Sequence, residues 1–452
     1  MGIKQNILLV NTPSRRIVEA YDLPDYPHIG LGYLTAYLLH KGIEVSVIDA
    51  KLERLSSEKI IEKLAHSHFD FVGISAMTHE IMSAAYLARK IKGKFNYIKI
   101  ILGGVHATAL PRETLEEFSD FDITVMGEGE ETLCEIVSGV DLQVIKGIAF
   151  RDENGNIQVN EKRAWIQDLD SLPFPTWGCF PRCKTYHIIT ARGCPFQCIF
   201  CMSPYGRQVR ERSVNNVVSE IKQVIETYDP KLLRFNDETF GFNKERAHRI
   251  LDLIIENGLH KKPKSASMRA DLIDFDLLKK MKKAGFVYID YGVETGNREI
   301  LKTIRKGLTL EQTENAIKLT KKAKIKVGAN YILGHPYETL ETARETINYA
   351  VKLNADINAI GIMVPYPGTQ IYELAKKGEG GYVILSANWD NYNKQLGSAL
   401  ELKGIKRKQL EILQLIGYLK ILICNCRIIG LMQFIIKHRR AGIAFLVNFF
   451  RK

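Results

Sequence analysis

Five of the chain's eight cysteines fall between residues 179 and 201, and three of them form a CxxxCxxC triplet. Clustered thiols in a reducing compartment indicate metal binding or redox chemistry rather than a disulfide scaffold. A structural zinc site usually takes four ligands, and a [4Fe–4S] cluster normally takes four thiolates. Cys194, Cys198 and Cys201 would leave one iron of a cluster open for a ligand. Unligated structural thiols and a zinc site completed from elsewhere are the alternatives.

The triplet follows a strand-like run, Tyr186–Thr190, which opens a series of alternating strands and helices. Six such units over residues 185–370 predict a partial (β/α)6 TIM-type barrel, because a full eight-unit barrel needs about 250 residues. Residues 1–140 show an earlier alternation, which predicts an α/β fold with a doubly wound Rossmann-like sheet. Residues 141–184 are predicted to form a hairpin linker, and residues 371–452 a helical basic C-terminal region.

The carboxyl ends of the predicted strands in residues 1–140 are small, Gly-rich or hydroxyl-bearing. Ligands of doubly wound sheets bind at these ends, and such residues let a ligand approach the backbone closely. The candidate cofactor-binding residues are Thr12, Ser75, Met77, Thr78, Gly103, Gly104, Val105, His106, Gly127, Glu128 and Gly129. A nucleotide-binding sheet has similar strand ends, so their composition alone does not select the ligand.

The cysteine triplet, with Phe200 just before its last cysteine, resembles the signature of the radical S-adenosylmethionine (SAM) superfamily. The resemblance implies that the open iron binds the amino and carboxylate groups of SAM, and that reductive cleavage releases a 5′-deoxyadenosyl radical. By the same resemblance, five residues would contact SAM: Phe200 and Ile332 near the adenine, Asp237 and Glu238 near the amino group, and Glu294 near the ribose. Taken singly, each acidic residue could equally be a helix cap or a surface charge.

The sequence Ser75-Ala76-Met77, followed after 25 residues by Gly103-Gly104, resembles two ordered motifs of cobalamin-binding domains. The D-x-H-x-x-G motif of such domains is missing, which leaves the lower axial ligand of the cobalamin undetermined. His28 stands at a different spacing, and we expect it to cap a helix or to pack. Residues 1–370 as a whole are similar to the two-domain family of the Mg-protoporphyrin ester cyclase and many carbon methylases. A degenerate domain that only packs on the barrel is the alternative.

The resemblance implies an enzyme with three cofactors: a [4Fe–4S] cluster, SAM and cobalamin. Methyl transfer to an unactivated carbon or phosphorus centre is the expected reaction, although the sequence singles out no general acid or base. The expected substrate is a small molecule, a lipid or a peptide, and the expected one-electron reductant is of the flavodoxin or ferredoxin type. The alternatives are radical cyclisation, oxidation or rearrangement without methyl transfer, a tRNA methylthiotransferase and a non-catalytic iron–sulfur protein.

The net charge of +12 suggests nucleic acid or an anionic membrane as a partner, but the charge is unevenly distributed. Residues 403–452 carry a net +10, which leaves about +2 for the other 402 residues. A basic amphipathic stretch over residues 412–436 predicts either packing on the barrel or peripheral contact with the inner face of the membrane. Lys420 and Arg427 argue against a membrane-spanning helix. The tail has few aromatic residues between its charges, which makes nucleic acid an unexpected partner.

The chain begins without the apolar run of a signal peptide, so a cytoplasmic location is expected. Cys179 and Cys183, together with Cys424 and Cys426, offer four further thiols. The last two are two residues apart, and positions i and i+2 of a helix point in nearly opposite directions. We therefore expect these four to be free thiols rather than ligands of a second cluster.

Overall fold

Two α/β sheets, one mixed and one parallel, dominate the fold in a computed structural model, which describes residues 6–13, 24–394, 397–430 and 432. The first sheet has seven strands: β1 (Asn6–Asn11), β2 (Glu44–Asp49), β3 (Phe71–Ser75), β4 (Lys99–Gly103), β5 (Ile123–Val125), β6 (Ile148–Arg151) and β7 (Ile157–Val159). Its helices are α1 (Ile29–His40), α2 (Ser57–Leu64), α3 (Ile81–Lys94), α4 (Val105–Ala109), α5 (Pro111–Glu117) and α6 (Glu130–Val137). This is the doubly wound α/β domain that the sequence predicts.

The strand order of the first sheet is β2-β1-β3-β4-β5-β6-β7, and β1 to β5 are parallel. The apolar run Ile7–Val10 is buried on both faces, as expected of a parallel strand covered by helices. β2 lies on one side of β1 and β3 lies on the other, so the strand order switches sides at β1. The last residues of β1 and β3, Asn11 and Ser75, are in register. In such sheets ligands bind at this switch point, so the fold places the candidate cofactor site at the ends of β1, β3 and β4.

The predicted hairpin linker, residues 141–184, is not a linker along its whole length. The hairpin within it consists of β6 and β7, and β6 pairs antiparallel with β5. Ile148 and Phe150 are buried against the sheet, which explains why this segment adds to the first domain. The first sheet therefore extends to Val159, and only the segment after it connects the two domains.

The second sheet has six parallel strands in sequential order, and this confirms the predicted partial barrel. The strands are β8 (Thr185–Ile188), β11 (Leu232–Phe235), β12 (Lys264–Met268), β13 (Phe286–Glu294), β14 (Lys326–Leu333) and β15 (Ile357–Ile362). Between β8 and β11 a short antiparallel hairpin is formed by β9 (Ala191–Arg192) and β10 (Arg210–Glu211). The helices are α7 (Val214–Tyr228), α8 (Lys244–Glu256), α9 (Phe275–Lys283), α10 (Arg298–Thr303), α11 (Leu310–Lys322) and α12 (Leu340–Leu353).

The C-terminal region contains α13 (Gln370–Lys377), β16 (Tyr382–Ile384), β17 (Leu400–Leu402) and α14 (Arg407–Cys424). The region is helical as predicted, except that β16 and β17 form an antiparallel ribbon. Helix α14 lies on β15, where Gln414 donates to the Ile360 carbonyl at 2.6 Å and the Ile360 amide donates to Tyr418 at 2.9 Å. These bonds satisfy backbone groups at the open edge of the sheet.

The basic C-terminal segment is only partly visible, since residues 433–452 lie outside the described part of the chain. Its described part includes α14, which packs on the barrel rather than standing free. In the described residues, no helix has the length and apolar character needed to cross a membrane.

Candidate active site

The three cysteines of the triplet lie in the loop between β9 and β10, here called the cysteine loop (residues 193–209). Its two ends meet because Arg192 and Arg210 are paired in register. Gly193 has φ +99°, and a Cβ there would lie 2.0 Å from the Gln208 carbonyl oxygen, so only glycine fits. The Cys194 amide donates to the Gly206 carbonyl at 3.1 Å. The loop is therefore closed at its base.

Cys198 is buried in this loop, and Cys194 and Cys201 are partly exposed. All eight cysteines are free thiols, and burial raises the pKa of Cys194 and Cys201. Within the described ranges, no three metal-ligating side chains converge as they would around a single ion. Thiolates of a [4Fe–4S] cluster bind separate irons, so they do not need to converge on one point. Three thiols in one loop are a donor set that fits a cluster with one iron left open.

Asp237 and Glu238 follow β11 and face different partners. The Asp237 carboxylate accepts bonds from the Thr190 amide at 2.6 Å and the Thr190 hydroxyl at 2.5 Å. It also accepts a longer bond from the Ala191 amide. Asp237 thus fixes the turn that leads into the cysteine loop. Its Oδ1 accepts two bonds and its Oδ2 one, and its contact with SAM stays a prediction.

Glu238 is better placed for a ligand. Its Oε1 accepts from the Ser203 hydroxyl at 3.3 Å, while its Oε2 is buried and has no partner. Burial raises the pKa of this carboxyl, and its charge is close enough to Cys194 and Cys201 to raise the pKa of both thiols. A buried carboxylate oxygen without a partner is costly, and a cationic group bound there would satisfy it. Glu238 therefore fits the amino group of SAM.

Glu294, at the end of β13, follows a register shift at Gly292–Glu294 and has a left-handed backbone, φ +67°. Its carboxylate pairs with Lys306 at 2.8 Å, and both side chains are about nine-tenths buried. The Lys306 ammonium lies 5.8 Å from the centre of the Phe200 ring. The structure thus brings Phe200 and Glu294 together. Sequence analysis missed Lys306, since no motif marks it.

The end of β14 completes this side of the barrel. The His335 ring lies 6.3 Å from the Phe200 ring, and burial lowers its pKa to about 4, so it is neutral. The Glu338 carboxylate accepts from the amides of Gly334 and His335, and burial raises its pKa to about 7. Ile332, the predicted adenine contact, is buried in β14 two residues before Gly334. Of these residues, His335 is the one that lies beside the Phe200 ring.

The first sheet offers a different edge at its switch point. The Thr12 hydroxyl donates to the Ser75 carbonyl at 2.6 Å and joins the ends of β1 and β3. His28 caps α1 by accepting from the Leu31 amide at its Nδ1, as expected of a capping residue. Its Nε2 lies 3.3 Å from the Ser75 hydroxyl. Burial lowers the pKa of His28, so the neutral ring carries its proton on Nε2 and donates it to Ser75.

Gly103 and Gly104 form the next part of this edge. A Cβ on Gly103 would meet nothing within 4 Å, whereas one on Gly104, at φ +98°, would lie 2.6 Å from the Ala76 carbonyl oxygen. Beside them Met77 is half exposed and Thr78 is buried. This open cradle is what a large flat cofactor needs to approach the backbone. The ends of β3 and β4 lie side by side at this edge, with Ser75 and Gly103 in register.

Val105 begins α4, and the next residue, His106, is buried with its Nδ1 unpartnered. Burial lowers the pKa of His106 to about 4, so its ring is neutral. The ring lies 5.1 Å from that of Trp389 in the C-terminal region. A neutral imidazole with a free ring nitrogen is compatible with a cofactor contact.

The loop Gly127-Glu128-Gly129 does not present the side chain that the sequence analysis assigns to a cofactor. The Glu128 carboxylate binds Arg192 and Arg210 at the base of the cysteine loop, and both oxygens are used. Glu128 is therefore unavailable to a cofactor. Gly127 packs on Trp165, and Gly129 packs on Leu34.

Profiles of two known families match the chain in the same two regions. The Radical SAM superfamily matches residues 188–350, and the B12 binding domain matches residues 15–137. The two matched segments correspond to the partial barrel and to the first sheet.

Similar proteins include an uncharacterized methyltransferase of Pyrococcus horikoshii, PH0819, which is 32% identical over 417 residues and covers 89% of both chains. The anaerobic magnesium-protoporphyrin IX monomethyl ester cyclase of Rubrivivax gelatinosus is 29% identical over 78% of this chain and 67% of its own. Among solved structures, the radical SAM methyltransferase TsrM from Kitasatospora setae, with cobalamin and a [4Fe–4S] cluster bound, has a TM-score of 0.69. It is 20% identical and is matched over 91% of this chain and 85% of its own.

Proposed function

The chain belongs to the family of cobalamin-dependent radical SAM methyltransferases, and on this basis we propose that it methylates an unactivated carbon or phosphorus centre of a small molecule. Its cofactors are a [4Fe–4S] cluster, SAM and cobalamin. When bound, these groups supply an electron, a hydrogen-abstracting radical and a transferable methyl group. The protein's own residues bind them, orient them and keep water out.

The observation that carries this proposal is that segments next to the two candidate sites meet at Gly368. A Cβ on Gly368 would lie 3.2 Å from Ala109 at the end of α4 and 3.1 Å from Met202, the residue after Cys201. Helix α4 begins directly after the Gly103–Gly104 edge. Gly368 therefore lies between the helix that follows the open edge and the cysteine loop, and this supports a substrate held between two cofactors.

Within the barrel, we assign cluster binding to Cys194, Cys198 and Cys201. The unpartnered Oε2 of Glu238 would accept a hydrogen bond from the SAM amino group. Phe200 would provide an apolar face near the adenine, and Glu294, held by Lys306, a polar group near the ribose. Ile332 would complete the adenine pocket from β14.

At the first sheet, we assign cobalamin binding to the ends of β1, β3 and β4. Ser75 would donate its hydroxyl proton to the cofactor, because the Nε2–H of His28 already occupies one of its lone pairs. Met77, Thr78, Gly103, Gly104, Val105 and His106 would line the cofactor. Thr12, whose hydroxyl holds the Ser75 carbonyl, would position rather than touch it.

The substrate and the electron donor belong to the same proposal. We propose a small-molecule substrate in the space between the two domains and an external one-electron reductant of flavodoxin or ferredoxin type. A radical cyclisation is the second candidate function, since an ester cyclase is among the similar proteins. Methyl transfer converts SAM to both S-adenosylhomocysteine and 5′-deoxyadenosine, whereas cyclisation yields 5′-deoxyadenosine without S-adenosylhomocysteine.

The experiment is anaerobic reconstitution with iron, sulfide and cobalamin, followed by incubation with methyl-labelled SAM, reductant and a panel of candidate substrates. Absorption bands of both cofactors and label transfer to a substrate are expected. Cys198→Ala should lose the cluster bands and all SAM cleavage, while Cys183→Ala, outside the triplet, should retain both. Absence of cobalamin bands in the reconstituted protein would refute the proposal, and 5′-deoxyadenosine formation without S-adenosylhomocysteine would favour cyclisation.

Peripheral membrane contact is a separate proposal about the end of the described chain. Ile423, Ile428, Ile429 and Met432 are each 60% exposed or more, next to a segment rich in Lys and Arg. Apolar side chains beside basic ones favour an anionic lipid surface. Co-sedimentation with phosphatidylglycerol vesicles should be lost on deleting residues 428–452. Sedimentation that is equal with and without these residues would refute it.

A further inference from the structure

The contact between the two domains at Glu128 consists of two buried ion pairs that share one carboxylate. Arg192 Nη1 donates to Glu128 Oε1 at 2.7 Å, and Arg210 Nη1 donates to Oε2 at 2.8 Å. Arg192 also reaches Glu130 Oε1 at 2.7 Å. All four side chains are at least 94% buried. Charges this deeply buried persist only when they are paired and hydrogen-bonded, as they are here.

The two arginines of this network lie at the two ends of the cysteine loop. Arg192 directly precedes Gly193 and Arg210 directly follows the cysteine loop, and the two are register partners in β9 and β10. A single carboxylate from the first domain therefore binds both ends of the loop that bears the three cysteines. If Glu128 only held the two domains together, any exposed arginine of the barrel could serve as its partner.

A third segment fixes the same point. Arg210 donates to the Ile166 carbonyl at 2.6 Å, and the Ile166 amide donates to Glu128 Oε2 at 2.8 Å. The Arg210 guanidinium carbon lies over the ring of the neighbouring Trp165, 5.4 Å from the ring centre. Trp165 also packs against Gly127 on one side and Gly206 on the other. The chain between the domains is thereby locked into the base of the cysteine loop.

We propose that Glu128 is a positioning residue, which holds the base of the cysteine loop at a fixed distance from the Gly103–Gly104 edge. The inference rests on the proposed assignment of Cys194, Cys198 and Cys201 as cluster ligands. Thr108 links the residue before Glu128 to this edge, because its hydroxyl donates to the Gly104 carbonyl and accepts from the Gly127 amide. Glu128 acts through the loop and touches neither cofactor.

The test compares Glu128→Gln with two variants on α6, in cobalamin-loaded, cluster-reconstituted protein. Glu131→Gln removes an acid that pairs with Arg163 and is 45% exposed. Leu133→Ala leaves the network intact but removes core packing from the same helix. The readouts are the rate at which a chelator extracts iron and the EPR spectrum of the reduced cluster with and without SAM.

Glu128→Gln should release iron about ten-fold faster, the size of effect expected when a supporting residue behind metal ligands is lost. Its EPR response to SAM should also be altered, while Glu131→Gln matches the wild type in both. Leu133→Ala should lower the melting temperature without changing the iron release rate. If Leu133→Ala and Glu128→Gln release iron in proportion to their loss of stability, Glu128 is merely structural and the inference is wrong.

The double variant Glu128→Gln/Arg210→Met covers the case in which Glu128→Gln does not fold, because it leaves the balanced pair Arg192–Glu130. It should fold, bind cobalamin and release iron as fast as expected of the single variant. Iron release at the wild-type rate would overturn the inference. A wild-type protein that assembles no cluster would instead refute the proposed function on which the inference rests.

Discussion

The strand ends of the two sheets, which we propose as the two cofactor sites, differ in the side chains that line them. At the first sheet, the edge around Gly103 and Gly104 is open and made largely of backbone, with Ser75 and Met77 beside it and an ion pair, Lys51–Glu80, bonded to the Met77 amide. At the barrel, the corresponding edge is filled with buried ionisable groups. These are Glu238, Glu294, Lys306, His335 and Glu338.

The ligands that we propose for the two edges account for the difference. A flat cofactor with many contacts needs shape and backbone access, which glycine provides at a cost in chain entropy. A small charged ligand such as the methionine part of SAM needs fixed charges in a dry site, where each interaction is strong. The comparison predicts that the barrel edge is sensitive to changes in charge and the first edge to added bulk.

The largest charge effect is expected for Lys306→Met. Removing the ammonium leaves the Glu294 carboxylate buried without its partner, which typically costs about 3–5 kcal/mol of unfolding free energy. Denaturant unfolding of the apo-protein monitored by circular dichroism measures it. The KM for SAM should also rise, since Glu294 would lose its orientation beside Phe200.

The matched control is Lys302→Met on α10. Its partner Glu299 and Lys302 itself are about three-quarters exposed, so this pair should contribute less than about 1 kcal/mol. The double variant Glu294→Gln/Lys306→Met should recover most of the lost stability. Equal losses for Lys306→Met and Lys302→Met would mean that the buried pair is not what distinguishes the barrel edge.

A second charge effect should appear as a pH dependence of stability. Burial raises the pKa of Glu338 from 4.5 to about 7, so its protonated form is favoured in the folded state. Its contribution is fully present below pH 4.5 and is lost as the pH rises through about 7. At about 1.4 kcal/mol per unit, the loss amounts to about 3 kcal/mol at pH 8.

Glu338→Gln should therefore be more stable than the wild type at pH 8 and similar to it at pH 4.5, because the amide can still accept from Gly334 and His335. His335, His106 and His187, whose pKa values burial lowers, oppose this trend at acidic pH but are common to both proteins. The difference between the two unfolding curves isolates Glu338. A constant difference across pH 4.5–8 would contradict the expectation.

Sequence patterns predict both sheets because alternation of apolar runs and amphipathic helices is a local property. They mislead at the hairpin β6–β7, where a turn signal is visible but its pairing with β5 depends on tertiary contacts. The cysteine motif is likewise local and is read directly. Domain boundaries near residue 140 are not fixed by any such local signal.

Individual site residues are harder to predict, since their roles depend on partners distant in sequence. Asp237 and Glu238 are neighbours with the same chemistry, yet both oxygens of Asp237 accept bonds from the chain while Glu238 keeps one oxygen without a partner. Glu128 lies in a Gly-rich strand end typical of ligand contacts, but two arginines more than sixty residues away bind it. No sequence motif marks Lys306, and its place in the site is seen from its ion pair with Glu294.

The smallest effect tests the other side of the comparison, where bulk rather than charge matters. Gly104→Ala adds one carbon to a residue with φ +98°, and that carbon would lie 2.6 Å from the Ala76 carbonyl oxygen. Strain of this kind costs about 1–3 kcal/mol, so cobalamin affinity should fall about five- to 150-fold. The cluster spectrum should be unchanged, because the barrel is not touched. Gly93→Ala, a site in α3 with nothing within 4 Å, is the control and should bind cobalamin normally. If Gly104→Ala bound cobalamin as tightly as Gly93→Ala, the edge would not be shaped by backbone approach, and the contrast between the two sheets would fail.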